Sequence, residues 1–210
     1  MLAVCLVLAW PGLAADGRLR ILALGDSLVA GHGLPEPQGF TSQLAAALAD
    51  AGVDAQVING GVSGDTTAGG RARLDWILED DPDIVILELG ANDGLRGIDP
   101  AETEANLDAI LARLTRERRA VLFAGMLAPP NLGPEFGAAF NALFPRLADR
   151  YPVDFYPFFL DGVARDPTLT QDDGLHPNAA GVGVIVGRLV PYLLRVIDGV
   201  RHSSAGASAG

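Results

Sequence analysis

Cysteine is almost absent from this sequence, and the shortage removes several classes of site. The 210 residues include one cysteine, Cys5. An intramolecular disulfide, a four-cysteine zinc site and a cysteine-based redox pair are therefore excluded. Aromatic residues are also scarce, at 6% of the chain, which leaves little surface for stacking against sugar rings.

Positive charge is in short supply as well. Lysine and arginine together number 15 against 26 aspartates and glutamates, which gives a formal net charge of -11. Such a chain repels phosphate groups, so nucleic acid and an anionic membrane surface are disfavoured as standing partners. The charge does not indicate which small molecule binds.

Long hydrophobic runs are missing too. The opening run, Leu2–Trp10, has nine residues, which is too few to span a bilayer as a helix. Small residues follow from Gly12 to Ala15, and the combination predicts a secretory signal in residues 1–15. No lysine or arginine precedes the run, which indicates a weak signal or a true start upstream; a buried strand or a cytoplasmic helix is the alternative. We therefore expect a periplasmic or secreted protein and no stable membrane insertion of the mature chain.

The remainder of the chain is predicted to form one domain, residues 16–200. A chain of this length buries roughly 70% of its unfolded surface. Hydrophobic residues make up 49% of the sequence, and no low-complexity block interrupts them. Residues 201–210 are mostly small and polar, and we predict a disordered tail there.

Short apolar segments alternate with longer segments of helical periodicity. Five buried strands are predicted, at Arg20–Gly25, Ala55–Ile58, Ile84–Leu89, Ala120–Gly125 and Val153–Tyr156. Helices are predicted at about Phe40–Ala51, Ala68–Glu79, Pro100–Arg118, Pro134–Arg150 and Ala179–Ile197. This alternation predicts right-handed crossovers, a parallel sheet and a three-layer α/β/α sandwich. Ligands of such sheets bind beyond the carboxyl ends of the strands.

A serine stands at the end of the first predicted strand, in Gly25-Asp26-Ser27-Leu28. At the top of the sheet its hydroxyl is available as a nucleophile. For an isolated Gly-Asp-Ser, however, an N-cap serine on the next segment is the commoner role. A catalytic role for Ser27 therefore depends on finding residues of matching chemistry at the ends of the other strands.

A glycine-rich turn, Asn59 to Thr66, follows the second strand. It lacks the G-x-G-x-x-G and G-K-[ST] patterns of phosphate-binding loops, and no lysine is in reach, so nucleotide binding is disfavoured. Bare backbone N–H groups in such a turn can stabilise an oxyanion. Gly64 is the candidate donor, while Gly60 and Gly61 are expected to form the tight turn.

An asparagine follows the third strand, in Gly90-Ala91-Asn92-Asp93-Gly94. The Asn92 side chain can donate an N–H to the same oxyanion. The alternative is a turn residue that hydrogen-bonds its own backbone.

A late loop, Asp172-Asp173-Gly174-Leu175-His176, supplies a candidate base. A catalytic histidine needs a carboxylate that fixes its tautomer and supports the imidazolium ion. Asp173 can fold back onto His176 within one turn of chain, and Asp172 is the rival, more typical of a solvent-exposed neighbour. The other histidines are His32, in the polar loop after the serine, and His202, in the predicted tail.

Taken together, these blocks resemble the SGNH branch of the GDSL hydrolases over roughly residues 20–196. The four blocks, in order, are Gly25–Leu28, Ser63–Thr66, Gly90–Asp93 and Asp173–Pro177. The stretches Leu87–Gly97 and Gln171–Asn178 are similar to those of the bacterial periplasmic thioesterase–lysophospholipase–arylesterase group. The resemblance implies a flavodoxin-like sheet of order 2-1-3-4-5, with no metal and no cofactor.

The resemblance also implies roles for individual residues. Ser27 is the expected nucleophile, His176 the general base and acid, and Asp173 the residue that orients it. The expected oxyanion hole consists of the Ser27 and Gly64 N–H groups and the Asn92 side chain.

A substrate pocket is expected beside this site. Its expected lining is Asp26, Leu95, Pro130, Asn131 and Leu175. The loop Met126–Asn131 departs from the family pattern, and its two prolines leave the preferred acyl chain length open. Residues 95–97 are expected to form either a mobile rim of the pocket or an ordinary loop leading to a helix.

The sequence is compatible with three functions. The first is hydrolysis of small-molecule esters or thioesters of fatty-acyl, aryl or lysophospholipid type. The second is deacetylation of carbohydrates by the same fold, which the few aromatics disfavour. The third is a non-catalytic flavodoxin-like binding domain, which does not explain why four catalytic-type blocks coincide.

A Gly-x-Ser-x-Gly pentapeptide is absent, which disfavours the α/β-hydrolase fold. The sequence does not indicate the oligomeric state.

Overall fold

The computed structural model describes residues 18–207, and of residues 204–207 it describes the backbone alone. The predicted signal segment, residues 1–15, lies outside the described residues.

Five parallel strands form one sheet in the order β2-β1-β3-β4-β5, which confirms the predicted topology. The strands are β1 (Leu19–Gly25), β2 (Ala55–Gly61), β3 (Ile84–Glu88), β4 (Ala120–Ala124) and β5 (Asp154–Tyr156). The central strands β1 and β3 are almost fully buried. Their unbroken runs of leucine, isoleucine and valine favour such strands because helices cover both faces of the sheet.

Eight helices flank the sheet in the described part of the chain. They are α1 (Ser27–Ala30), α2 (Phe40–Asp50), α3 (Thr67–Ala72), α4 (Leu74–Ile77), α5 (Ala91–Arg96), α6 (Pro100–Arg116), α7 (Pro134–Arg150) and α8 (Ala179–Ala207). Short 3₁₀ helices lie at Glu36–Gln38, Leu78–Asp80 and Pro130–Leu132. Helix α2 packs against α8, and helix α6 packs against α3 and α7, so the architecture is the predicted three-layer sandwich.

The predicted helix Ala68–Glu79 is two helices, α3 and α4, which meet at Arg73. Two adjacent glycines, Gly69 and Gly70, weaken the helix just before the break. The Arg73 side chain turns inward, where it donates to the Asp65 carboxylate at 2.7 Å and to the Gly25 carbonyl at 2.9 Å. These tertiary contacts override the helical periodicity of the segment.

Helix α8 is longer than predicted, because it runs on to Ala207. Residues 201–207 of the predicted tail belong to this helix, and residues 208–210 lie outside the described part. The extension includes two side-chain bonds to helix carbonyls: His202 Nδ1 donates to Asp198 at 2.6 Å, and Ser203 Oγ donates to Gly199 at 2.9 Å.

The segment Ala179–Ser203 of α8 is long and apolar enough to cross a membrane by length and composition alone. This is weak evidence, since the core helix of a globular protein passes the same test. One face of the helix is buried in the core, through Val182, Ile185, Val186, Leu189, Leu193, Val196, Ile197 and Val200.

Candidate active site

Ser27 lies at the carboxyl end of β1, as the first residue of helix α1. Asp26, not Ser27, is the N-cap of this helix: its side chain accepts a hydrogen bond from the Leu28 N–H at 3.0 Å. The turn requires a glycine before it, because a Cβ on Gly25 would lie 2.4 Å from the Val29 side chain. Gly25 thus leaves room for the turn, Asp26 caps the helix, and the Ser27 side chain takes no part in the cap.

His176 is held by the loop that follows β5. The Asp173 carboxylate accepts hydrogen bonds from the Leu175 N–H at 2.9 Å and from the His176 N–H at 3.0 Å, which closes the loop. Gly174 lies inside this turn at φ 67°, a left-handed conformation that glycine adopts at little cost. The local chain therefore folds Asp173 back onto His176, as predicted from their spacing.

The three side chains form a hydrogen-bonded row. Asp173 Oδ2 lies 2.6 Å from His176 Nδ1, and His176 Nε2 lies 2.9 Å from Ser27 Oγ. A carboxylate only accepts hydrogen bonds, so Nδ1 carries the proton and Nε2 accepts the Ser27 O–H. The hydrogen bond from His176, followed by the two backbone N–H groups, lowers the pKa of Asp173 to about 2.

The neighbouring Asp172 takes no part in this row. It is exposed, and its side chain forms no hydrogen bond or ion pair with the described residues. Asp172 therefore provides a matched control for Asp173.

The three expected oxyanion donors differ in their surroundings. The N–H groups of Ser27 and Gly64 donate to no acceptor among the described residues. Gly64 has φ 82°, and its carbonyl accepts a hydrogen bond from Arg96 at 2.8 Å. The Asn92 amide is already engaged: Nδ2 donates to Asp26 Oδ2 at 3.0 Å and to the Asp65 carbonyl at 2.9 Å. An oxyanion bound by Asn92 would have to share or displace one of these acceptors.

Gly60 and Gly61 do not form the tight turn that the sequence predicted. Both belong to strand β2. A Cβ on Gly61 would lie 2.2 Å from the Ala30 backbone nitrogen, and one on Gly60 would lie 2.8 Å from the Ala23 carbonyl. The two glycines therefore allow β2 to approach β1 and α1 closely.

Several residues that the sequence analysis missed surround the site. Arg73 ties the Gly25 carbonyl to Asp65, whose own carbonyl accepts from Asn92. Asp93 is buried and accepts hydrogen bonds from both the N–H and the hydroxyl of Thr67, which fixes the chain just after the Gly64 turn. No local pattern indicates these contacts, because apart from Arg73 and Asp65, which are 8 residues apart, the partners are 26 to 48 residues apart.

His32 is a further neighbour of the site. Its ring centroid lies 4.4 Å from that of His176, with the planes tilted by 38°. Gln171 links the two loops, since its Nε2 donates to the carbonyls of His32 at 2.8 Å and Pro177 at 3.0 Å. The only sequence signal was the presence of a histidine five residues after the serine.

A cavity of about 940 Å³ opens beside Ser27, Asn92 and His176. Its lining is mostly apolar and includes Leu28, Leu95, Met126, Leu127, Pro130, Phe158, Leu160, Val163 and Leu175. Apart from His176, Arg165 is the one titratable side chain among the lining residues. The cavity therefore suits an uncharged, apolar part of a ligand.

Among residues 18–203, no group of three or more histidine, cysteine, aspartate or glutamate side chains could hold a metal ion.

The structure brings three of the five expected pocket residues to the cavity. Leu95, Pro130 and Leu175 line the cavity. The expectation for Asp26 is wrong, because its side chain is fully buried beneath the site, where it caps α1. The expectation for Asn131 is also wrong, because this residue is exposed on the short 3₁₀ helix outside the cavity.

Most of the chain is similar to one family of known proteins. Residues 23–184, more than half of the chain, match the GDSL-like lipase/acylhydrolase family. The chain belongs to this family. As a family member it is a carboxylic ester hydrolase.

Individual relatives agree with the family assignment. An arylesterase of Vibrio mimicus is 41% identical over 165 residues, which cover 78% of this chain and 82% of the relative. The thioesterase 1/protease 1/lysophospholipase L1 of Escherichia coli K12 is 37% identical over 173 residues, covering 82% and 80%. A crystal structure of TesA superposes with a TM-score of 0.80 and 39% identity, covering 84% of this chain and 99% of that one.

Replacement of Asn92 by alanine is expected to lower kcat by about 10²- to 10³-fold, with a much smaller change in KM. The reason is that an oxyanion donor acts mainly in the transition state. Steady-state kinetics on a p-nitrophenyl ester measure both constants. The control is Asn131→Ala, an exposed asparagine that does not line the cavity. An unchanged kcat in Asn92→Ala would show that Asn92 is not part of the oxyanion hole.

Proposed function

We propose that this family member hydrolyses esters and thioesters of fatty-acyl or aryl type through an acyl-enzyme on Ser27. The observation that carries the proposal is the row Asp173–His176–Ser27, joined at 2.6 and 2.9 Å and open to an apolar cavity. The arylesterase and thioesterase activities in the names of the relatives favour the same chemistry.

In the first half-reaction, Ser27 Oγ attacks the acyl carbonyl carbon while His176 Nε2 accepts the hydroxyl proton. The ionised Asp173 holds the imidazole in the correct tautomer and supports the imidazolium ion. The Ser27 and Gly64 N–H groups and Asn92 stabilise the oxyanion. The bond from carbon to the leaving oxygen or sulfur then breaks, and His176 returns its proton to the leaving group.

In the second half-reaction, water attacks the acyl-enzyme while His176 accepts a proton from it. The carbon–oxygen bond to Ser27 breaks, the carboxylic acid leaves, and the proton from His176 restores the serine hydroxyl. No metal or cofactor is needed for either half-reaction.

The lining of the cavity separates this proposal from carbohydrate deacetylation. Sugar rings are bound by aromatic faces and many polar groups, whereas Phe158 is the one benzene-type ring among the lining residues. The large apolar volume instead suits an acyl or aryl group.

Export to the periplasm stays part of the proposal, since it rests on the signal predicted in residues 1–15.

Activity on p-nitrophenyl esters of increasing acyl length, from acetate to palmitate, tests the proposal. We expect hydrolysis, with kcat/KM rising along the series until the acyl chain fills the cavity. An enzyme that turned over only sugar acetates would contradict the proposal and favour the deacetylase.

Gly137 provides a sharper probe of where the acyl chain lies. It is on helix α7, it lines the cavity, and a Cβ there would meet no atom within 4 Å. Gly137→Leu is therefore expected to shorten the cavity without disturbing the fold. Each methylene that can no longer be buried costs ~0.8 kcal/mol, so two lost methylenes lower kcat/KM for long-chain esters by about tenfold relative to acetate.

The matched control is Gly187→Leu on the exposed face of α8, where a Cβ also meets no atom within 4 Å. This variant should keep the wild-type chain-length profile. If Gly137→Leu also kept it, the acyl chain would not lie along α7.

A further inference from the structure

A buried carboxyl group, Glu88, lies beneath the nucleophile and has no part in the mechanism above. It is the last residue of β3, and its exposed fraction is 0%. The space for it is made by Gly25 on β1, since a Cβ there would lie 2.6 Å from Glu88 Oε2. Gly25 and Glu88 are thus fitted to one another at the point where β1 ends and the Asp26–Ser27 turn begins.

Glu88 contacts the backbone of Asp26. Its Oε2 accepts a hydrogen bond from the Asp26 N–H at 3.3 Å. Its Oε1 is buried and accepts no hydrogen bond from the described residues. A carboxylate would leave a negative charge unsolvated at this atom, whereas a neutral carboxylic acid would not.

The hydrogen bonds favour the ionised form of Asp26 over that of Glu88. Asp26 accepts from the Leu28 N–H and from Asn92 Nδ2, each at 3.0 Å, and both bonds stabilise its ionised form. Glu88 has no comparable donors. Burial, and then the negative charge of Asp26, raise the pKa of Glu88 well above its usual range, while burial raises the pKa of Asp26 to about 6. A single proton held by the pair is therefore favoured on Glu88 over Asp26.

We propose that Glu88 is a positioning residue, whose carboxyl O–H donates to Asp26 and thereby fixes both the Asn92 amide and the start of helix α1. Asp26 receives this support on one side and holds Leu28 and Asn92 on the other. Glu88 thus links the serine-bearing end of β1 to the asparagine that follows β3. The inference rests on the proposed function, because it assumes that Ser27 and Asn92 act in catalysis.

A double-mutant cycle with Asn92 tests the inference. Glu88→Leu removes the donor at similar volume, and we expect kcat to fall about tenfold or more while KM changes less than about twofold. Glu88→Gln keeps an N–H donor to Asp26, so it should restore kcat to within about threefold of wild type. In the Asn92→Ala background, the loss of kcat from Glu88→Leu should be smaller than in the wild-type background, because one of its two targets is already gone.

Two outcomes would overturn the inference. One is an equal loss from Glu88→Leu in both backgrounds, which indicates a general structural role. The other is a glutamine variant as impaired as the leucine variant. Labelling of wild-type Ser27 by a fluorophosphonate separates this failure from that of the proposed function, since a protein without a nucleophilic Ser27 is not labelled.

A second measurement applies even if Glu88→Leu does not fold. Infrared difference spectra of wild type against Glu88→Gln at neutral pH should contain the carbonyl band of a protonated carboxylic acid in wild type alone. A carboxylate band in its place would contradict a neutral Glu88.

Discussion

Ser27→Ala is expected to lower kcat for p-nitrophenyl esters by about 10⁴-fold or more, because the variant cannot form the acyl-enzyme. Some residual rate above water is expected, since the oxyanion donors and the apolar cavity remain. Steady-state assays and thermal unfolding of both proteins provide the comparison. The folded state should be unaffected, because the cap of α1 comes from Asp26 and not from Ser27.

Ser42→Ala is the control for this experiment. Ser42 lies on helix α2, where its hydroxyl donates to Glu36 at 2.6 Å, away from the cavity. Its loss should leave kcat unchanged. Equal activity in Ser27→Ala and wild type would mean that another group is the nucleophile.

Asp173→Asn is expected to lower kcat by about 10⁴-fold. An amide in place of the carboxylate can donate to Nδ1 of His176, which moves the imidazole proton to Nε2. In that tautomer Nε2 no longer accepts the Ser27 proton. Because its hydrogen bonds hold the pKa of Asp173 near 2, the wild-type carboxylate is ionised at mildly acid, neutral and alkaline pH alike, and the loss should appear at each.

Asp172→Asn makes the same change of charge one residue away. Its side chain is exposed and forms no bond with the described residues, so kcat should stay within about twofold of wild type. Comparable losses in the two variants would show that the loop as a whole, and not the Asp173–His176 hydrogen bond, supports catalysis.

The sheet could be predicted because the sequence of each strand is by itself typical of a buried strand. Continuous apolar runs such as Ile84–Glu88 form central parallel strands, and their alternation with helices determines the crossovers. The break at Arg73 could not be predicted, because it depends on contacts with Asp65 and Gly25. The end of α8 was missed for a different reason: small polar residues indicate disorder by composition but are compatible with a helix.

The candidate site was predictable to the extent that its residues are close in sequence or stand at strand ends. Asp173 and His176 are three residues apart, and a turn brings them together. Glu88 and Asp26 are 62 residues apart, and nothing in either segment indicates that they meet. Asp26 was expected in the pocket, but as the cap of α1 it has its side chain turned inward instead.

The role of Ser27 as nucleophile is tested most directly by mass spectrometry of the protein after reaction with a fluorophosphonate. We expect one adduct per chain, on the peptide that contains Ser27, with loss of ester hydrolysis in proportion to labelling. We also expect slow labelling of Asp173→Asn and none of Ser27→Ala. An adduct on a different residue, or full hydrolytic activity in a chain labelled at Ser27, would contradict the claim that Ser27 is the nucleophile.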